Sequence, residues 1–506
     1  MNKGRKTAKR LVSLLLAILL AFSMTTLLAG AKSEKARYPH IYIHGFMAET
    51  LYENPGTDEQ KKIWPPSTDV ITSAVKEMIP TLATAAITGN SKALADSLVP
   101  AAKKILEPAF LDKNGEAPAN TGVDFVYPTK EEIQSSDELD FCYDWRLSPI
   151  ESAKKLDAFI DYVCAEANTD KVTITAHSYG GVVTLSYITL FGTEKLHGVI
   201  FDSTAVYGET FTGELLTGKI GLSVEGIKSF LEFILDRSDY ENLIETTVTM
   251  LTKAGVMDFV VNKLNALLEQ IKPQAVTDVM FPMFCCWPTI WAMCPDEYFD
   301  DAYEYAFNEV LNGKTEEYSG LIKKINEFNI LVRNGKTEKL IETESKIRFG
   351  VYSGYGYSAI PVTPTWNSNG DGTVDTKYTS FGATVAPYCE VLSEKYLKGR
   401  DMSLVSPDKQ VDASTCLFPK QTWFVKNYKH AQSHSGLNEL SAEIFYSDEK
   451  ITTDSLEKYP QFLEFSAETK QIETATNEEP LNPLTKFFKG LIEFWKLIKS
   501  FFSKLF

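Results

Sequence analysis

Positive charge is scarce in this 506-residue chain: 51 lysines and arginines stand against 67 aspartates and glutamates, for a formal net charge of −16. That deficit argues against nucleic acid as a partner, because phosphate is met by basic faces. Cysteine is scarce too. The seven residues Cys142, Cys164, Cys285, Cys286, Cys294, Cys389 and Cys416 lack metal-ligand spacing, so no metal or organic cofactor is implied. In an exported protein some would pair, and the odd number leaves at least one thiol over in a monomer. No internal repeat is evident. What is present is a globular composition, with 44% hydrophobic and 12% aromatic residues.

A long apolar run, Leu11 to Leu28, follows Lys3, Arg5, Lys6, Lys9 and Arg10 and precedes the small residues Ala29-Gly30-Ala31. Residues 1–31 read as a secretory signal peptide, and the expected location is extracellular. The run is also long enough to span a bilayer, so a retained anchor is the alternative. Cleavage would remove five positive charges and take the net charge from −16 to −16 − 5 = −21.

Beyond the leader, Tyr38 to Ile43 reads as a buried strand ending at His44-Gly45-Phe46. Asp69 to Phe110 looks helical, Asp140 to Asp144 is a short strand, and Ile150 to Glu166 is a helix. A strand at 171–176, a helix from about Gly180 and a strand at His197 to Phe201 follow. Such alternation predicts an α/β fold, a mostly parallel sheet with helices on both faces. The expected core occupies 32–206 and 345–448. Between them, 207–344 reads as a large helical cap or lid, since Ile227 to Leu235 and Leu264 to Ile271 show helical periodicity. Residues 449–482 read as an acidic linker and 483–506 as an amphipathic helix.

Chemistry concentrates in Ala176-His177-Ser178-Tyr179-Gly180-Gly181. A serine flanked by small residues, after a strand and before a helix, matches the nucleophile elbow of α/β-hydrolases, with Ala176 in place of the usual first glycine. The bland reading is a helix cap. A serine hydroxyl needs a histidine base oriented by a carboxylate, in the chain order serine, acid, histidine. Asp371, between Gly370 and Gly372, is the expected acid. An Asx turn or a calcium loop is the alternative reading of that stretch, and Asp202 is a weaker acid. Two histidines follow Asp371. His434, with small neighbours and a helix ahead, is the preferred base; His430, nearer the strand end, is the alternative. The amides of Tyr179 and Phe46 are the expected oxyanion donors.

Tyr143-Asp144-Trp145-Arg146-Leu147-Ser148-Pro149, together with the elbow and Gly370-Asp371-Gly372-Thr373-Val374, resembles the lecithin:cholesterol acyltransferase family of α/β-hydrolase lipases. The likeness covers about 38–210 and 345–440, and departs at His44-Gly45, where eukaryotic members have Pro-Gly, and in the long cap. It implies an α/β-hydrolase fold, and places Trp64, in Ile63-Trp64-Pro65-Pro66, near the acyl chain of a lipid ester.

The expected activity is that of a secreted serine lipase or phospholipase acting through an acyl-enzyme. The alternatives are an O-acyltransferase delivering the acyl group to a lipid alcohol, and a non-catalytic surface protein that binds lipid or a partner. In 483–506, Phe487, Leu491, Phe494, Ile498, Phe501, Phe502 and Leu505 share one helical face, and five lysines oppose one glutamate. The segment is too interrupted to span a bilayer and is expected to lie on a membrane or lipid surface.

Overall fold

The computed structural model describes residues 38–67, 69, 70, 73, 74, 76, 77, 91–226, 256–360, 362–432, 436–466 and 469–477. Residues 1–37, 227–255, His434 and the segment 483–506 expected to be helical therefore lie outside the described residues.

Short runs of β-branched and aromatic residues build one sheet. Its strands are β1 His40–Ile43, β2 Leu139–Asp140, β3 Val172–His177, β4 Leu196–Asp202, β5 Arg348–Tyr355, β6 Thr422–Lys426, β7 Phe462–Phe465 and β8 Ile472–Thr474. The order across the sheet is β8-β7-β6-β5-β4-β3-β1-β2. Pairing is parallel for β1 with β2, β1 with β3, β3 with β4 and β6 with β7, and antiparallel for β7 with β8. Every residue of β3 is buried, as expected for an interior parallel strand covered on both faces. The architecture is that of an α/β-hydrolase-like α/β fold.

The helices follow from caps and stripes. In α1, Pro149–Ala167, Ser148 caps the start by accepting from the Ile150 amide, and Asn168 closes the end in a left-handed conformation. Ile150, Ala153, Leu156, Phe159, Ile160 and Val163 bury one face, the larger of them contributing roughly 1.5–3 kcal/mol each. In α2, Gly180–Phe191, the residues from Gly180 to Ile188 are all buried, and the buried hydroxyls of Thr184 and Ser186 donate to the carbonyls of Gly180 and Val182.

Between β4 and β5 the described chain is helical, with segments that include Thr210–Leu216, Val256–Ala275, Ser319–Leu331 and Lys336–Lys346. Arg333 ties part of this region together. It donates to the carbonyls of Trp291 and Cys294 and pairs at 3.0 Å with Asp296, which also receives Lys336 at 2.8 Å.

The expected linker at 449–482 differs from what is found, because β7 and β8 lie within it. Phe462, Leu463 and Phe465 are buried, and Phe424 of β6 faces Phe462 in register. A four-residue apolar strand set among acidic residues is too short to show as a pattern. Cys142, Cys164, Cys285, Cys286, Cys294 and Cys416 carry free thiols. Among the described residues no helix is long and apolar enough to cross a membrane.

The chain divides into two compact units. One holds the described residues up to Gly218, Leu267–Val351 and those from 436 to Ile451; the other holds the described residues between Lys219 and Ala266, Tyr352–Gln432 and those from Thr452 onward.

Candidate active site

In the first unit, Ser178 stands between β3 and α2 with φ +55°. A residue with a Cβ pays about 1–2 kcal/mol to adopt that left-handed conformation, so the surroundings must impose it. They do. The Ser178 amide donates to the Asp202 carbonyl at 3.1 Å, and the Ser178 carbonyl accepts from Gly181 and Ala205, each at 3.1 Å. The turn is closed by glycines that nothing larger replaces. A Cβ on Gly180 would lie 2.2 Å from the Ile43 carbonyl oxygen, and one on Gly181 2.5 Å from Thr204 Cγ2. A Cβ on Gly45 would lie 2.7 Å from Ser178 Cβ and 3.0 Å from its Oγ. The strand-end glycine thus lies directly against the serine hydroxyl.

The expected oxyanion donors flank this point in sequence. Tyr179 precedes α2, so its amide belongs to the set that the helix cannot satisfy internally. Phe46 follows Gly45, in a loop where Met47 takes φ +63°. That loop is braced by the Tyr143-Asp144-Trp145-Arg146 stretch. Tyr143 Oη donates to the His44 carbonyl at 2.6 Å, and Trp145 Nε1 to the Glu49 carbonyl at 2.9 Å. Arg146 and Asp144, both buried, pair at 2.9 Å and 2.6 Å. A buried pair repays its desolvation only when its remaining hydrogen-bonding groups are satisfied, and Arg146 Nη1 also reaches the Ala109 carbonyl at 3.3 Å.

Aromatic rings gather beside the loop. Phe46 lies 5.1 Å from Trp145 and 5.9 Å from Trp287 between ring centroids, and Trp64 lies 5.9 Å from Trp145. The structure therefore joins Phe46 to Trp64 through Trp145. Trp287 was not legible as part of this group, because it comes from the helical insertion, more than 100 residues from each of the others in sequence.

His44 meets Asp140 at 3.0 Å and Glu49 at 3.9 Å. Burial alone would lower the His44 pKa, but the Asp140 hydrogen bond and the charges of Glu49, Asp140 and Glu138 outweigh it and carry it upward. Burial pushes the Glu138 carboxyl up to about 7, with the Asp140 charge adding to the effect. The ordinary Glu138 value is 4.5. Its stabilising contribution is therefore whole below that pH and is lost as pH rises toward 7. The His44 contribution is whole below 6.5 and is lost as pH climbs through its raised folded value. Both make the loop firmest in acid. Glu138→Gln is expected to raise the melting temperature at about pH 8 and to leave it unchanged at about pH 4. An equal effect at both values, in thermal scans, would remove Glu138 as the titrating group.

In the second unit, Asp371 sits in a turn that the backbone builds around its carboxylate. Oδ1 accepts from the amides of Thr373 at 2.9 Å and Val374 at 2.8 Å. Gly370 is required, since a Cβ there would lie 2.3 Å from the Val374 carbonyl oxygen. Oδ2 meets His430 Nδ1 at 2.8 Å, and the His430 amide donates to the Asp371 carbonyl at 3.0 Å. Both carboxylate oxygens are thus engaged by protein nitrogens. A carboxylate at Nδ1 holds the proton there and leaves the Nε2 lone pair as the base. Asp202, the weaker acid candidate, receives the His177 ring on its backbone carbonyl at 3.2 Å.

The structure therefore pairs Asp371 with His430, while His434, the histidine preferred on sequence, lies outside the described residues. His430 opens a one-turn helix, His430–Gln432, four residues past the end of β6. That closeness to the strand is what made it look structural.

No family model and no curated protein matches the chain. Among solved structures, the crystal structure of the Tle4-Tli4 complex is similar over 36% of this chain and 48% of that one, at 16% identity and a TM-score of 0.19. The chain thus spans about half the length of that neighbour, and a likeness at this score carries no argument about function.

Proposed function

We propose that this chain is a secreted serine ester hydrolase of the lipase type. The observation that carries the reading is Ser178 at φ +55° on a strand-to-helix turn, with Gly45 against its hydroxyl. The Asp371–His430 hydrogen bond supports it by supplying an oriented base. In the proposed reaction His430 Nε2 takes the Ser178 proton as Oγ attacks the ester carbonyl. The amides of Tyr179 and Phe46 receive the oxyanion. Collapse expels the alcohol, which takes the proton from His430. Water then attacks the acyl-enzyme with the same base, releasing the acid and restoring Ser178.

Lipid is the proposed substrate class. The likeness of residues 143–149, the elbow and the Asp371 loop to lecithin:cholesterol acyltransferase-type lipases supports it, as does the aromatic group of Phe46, Trp64, Trp145 and Trp287. The alternative acceptor is a lipid alcohol in place of water. Labelling with a serine-reactive phosphonate, followed by a lipid panel scored for free acid and transferred acyl, tests both. Absence of adduct at Ser178 in folded protein would sink the mechanism and favour a binding protein.

Membrane contact belongs to the same proposal, through residues 483–506, whose broad apolar face and five lysines suit an anionic interface. Deleting them is expected to abolish binding to anionic vesicles and slow hydrolysis of vesicle lipid, while sparing a short soluble ester. Equal loss on the soluble ester would make the segment structural.

A further inference from the structure

Behind the Asp371–His430 pair the second unit buries a chain of polar side chains that the reaction does not touch. Asp408 is fully buried. Its Oδ2 receives Lys426 Nζ at 2.9 Å and Gln410 Nε2 at 2.9 Å. Its Oδ1 receives Ser406 Oγ at 2.7 Å and the Gln410 amide at 3.3 Å. Gln410 Oε1 in turn accepts from Asn369 Nδ2 at 2.9 Å, and Asn369 Oδ1 accepts from the Gly356 amide at 2.8 Å.

The direction of this chain is determined at both ends. A backbone N–H at Gly356 can only donate, so Asn369 must present its oxygen there and its NH₂ to Gln410. Gln410 must then present its own NH₂ to the next member, and that member must accept. The Asp408 carboxylate does. An apolar residue, or an amide turned the other way, would leave a buried donor without an acceptor. The Asp408 charge is balanced by Lys426.

Its ends are what give it meaning. Asn369 lies two residues before Asp371, and Lys426 ends β6, four residues before His430. The two chain segments that carry the acid and the base are therefore joined twice, once through Asp371 and His430 themselves and once through Asp408. Apolar packing tolerates small sliding between such segments, whereas a directional polar array sets one register.

We propose that Asp408 and Gln410 are positioning residues for the acid–base pair: they fix the loop of Asp371 against the strand exit that carries His430. This rests on the reading of His430 as base and Asp371 as its orienter. Misplacing a reacting group by about 1 Å can lower turnover by roughly 10²-fold, so a break in the array should act on kcat with little effect on KM.

The test uses the full chain. Gln410→Met keeps the length of the side chain and the Asp408–Lys426 pair but removes the link to Asn369. The double variant Asp408→Leu with Lys426→Met removes the pair without stranding a charge. Expected for Gln410→Met is a fall in ester kcat of roughly 10- to 100-fold with KM within about twofold of wild type. Proton NMR should show the low-field Nδ1–H signal of His430, identified by its loss in His430→Gln, weakened or lost in both variants while the melt stays cooperative. The NMR readout does not depend on activity. A wild-type protein with the signal but no adduct at Ser178 would refute the hydrolase reading and leave the positioning claim to be decided by the variants' spectra. An unchanged signal with unchanged kcat in folded Gln410→Met overturns the proposal. So does a wild-type spectrum without the signal.

Discussion

Ser178→Ala is expected to remove ester cleavage by several orders of magnitude, on the order of 10⁴- to 10⁶-fold in kcat, because the covalent step has no substitute. Its stability should match wild type. The hydroxyl contributes little packing, and alanine keeps the Cβ that makes φ +55° unfavourable. Ser178→Gly separates the two effects. It is equally inactive, yet it releases the left-handed strain of about 1–2 kcal/mol, less roughly 0.5–1 kcal/mol for the added freedom of glycine in the unfolded chain. The glycine variant should therefore melt at or above the alanine variant. Paired activity assays and melts check this: a glycine variant clearly less stable than alanine would mean that the turn is not strained as described, and substantial activity in either would remove Ser178 as nucleophile.

The acid–base pair should respond almost as strongly. His430→Ala is expected to lower kcat by several orders of magnitude, and His434→Ala far less, because triad members act as a unit. Asp371→Asn is the more informative change. It keeps the shape of the loop but offers a donor where Nδ1 donates, favouring the wrong tautomer, with an expected loss of roughly 10⁴-fold in kcat. The Thr373 and Val374 amides still find an oxygen at the other end of the side chain, so the fold should survive. A mild Asp371→Asn together with a severe Asp202→Asn would transfer the acid's role to Asp202. A severe His434→Ala with a mild His430→Ala would transfer the base's role to His434, in a segment outside the described residues.

The elbow was legible because its constraint is local. A strand, a tight turn and a helix demand small residues at fixed spacing, and Gly180 and Gly181 stand where a Cβ would meet the Ile43 carbonyl and Thr204. The alternation that predicted a parallel α/β sheet is local in the same sense, since each buried strand is a short run of β-branched and aromatic residues. The turn around Asp371 was readable for a similar reason: Gly370 and Gly372 let the backbone curl amides onto its carboxylate, all within four residues. The base was not. His430 and His434 lie four residues apart, and which of them meets Asp371 turns on a contact 59 residues away in sequence, which outweighs the small neighbours that favoured His434. The role of Tyr143 was hidden likewise, since its hydroxyl reaches a carbonyl 99 residues distant.

Residue spacing alone thus determined the kind of fold, the nucleophile candidate and the acid candidate, because each rests on steric rules that act over a few residues. Tertiary structure alone decided which histidine the acid holds, which aromatic rings gather beside the Gly45 loop, and that 449–477 contains strands β7 and β8 of the sheet. Those choices are made by hydrogen bonds and ring contacts between distant segments, and no local pattern encodes which distant segment will arrive.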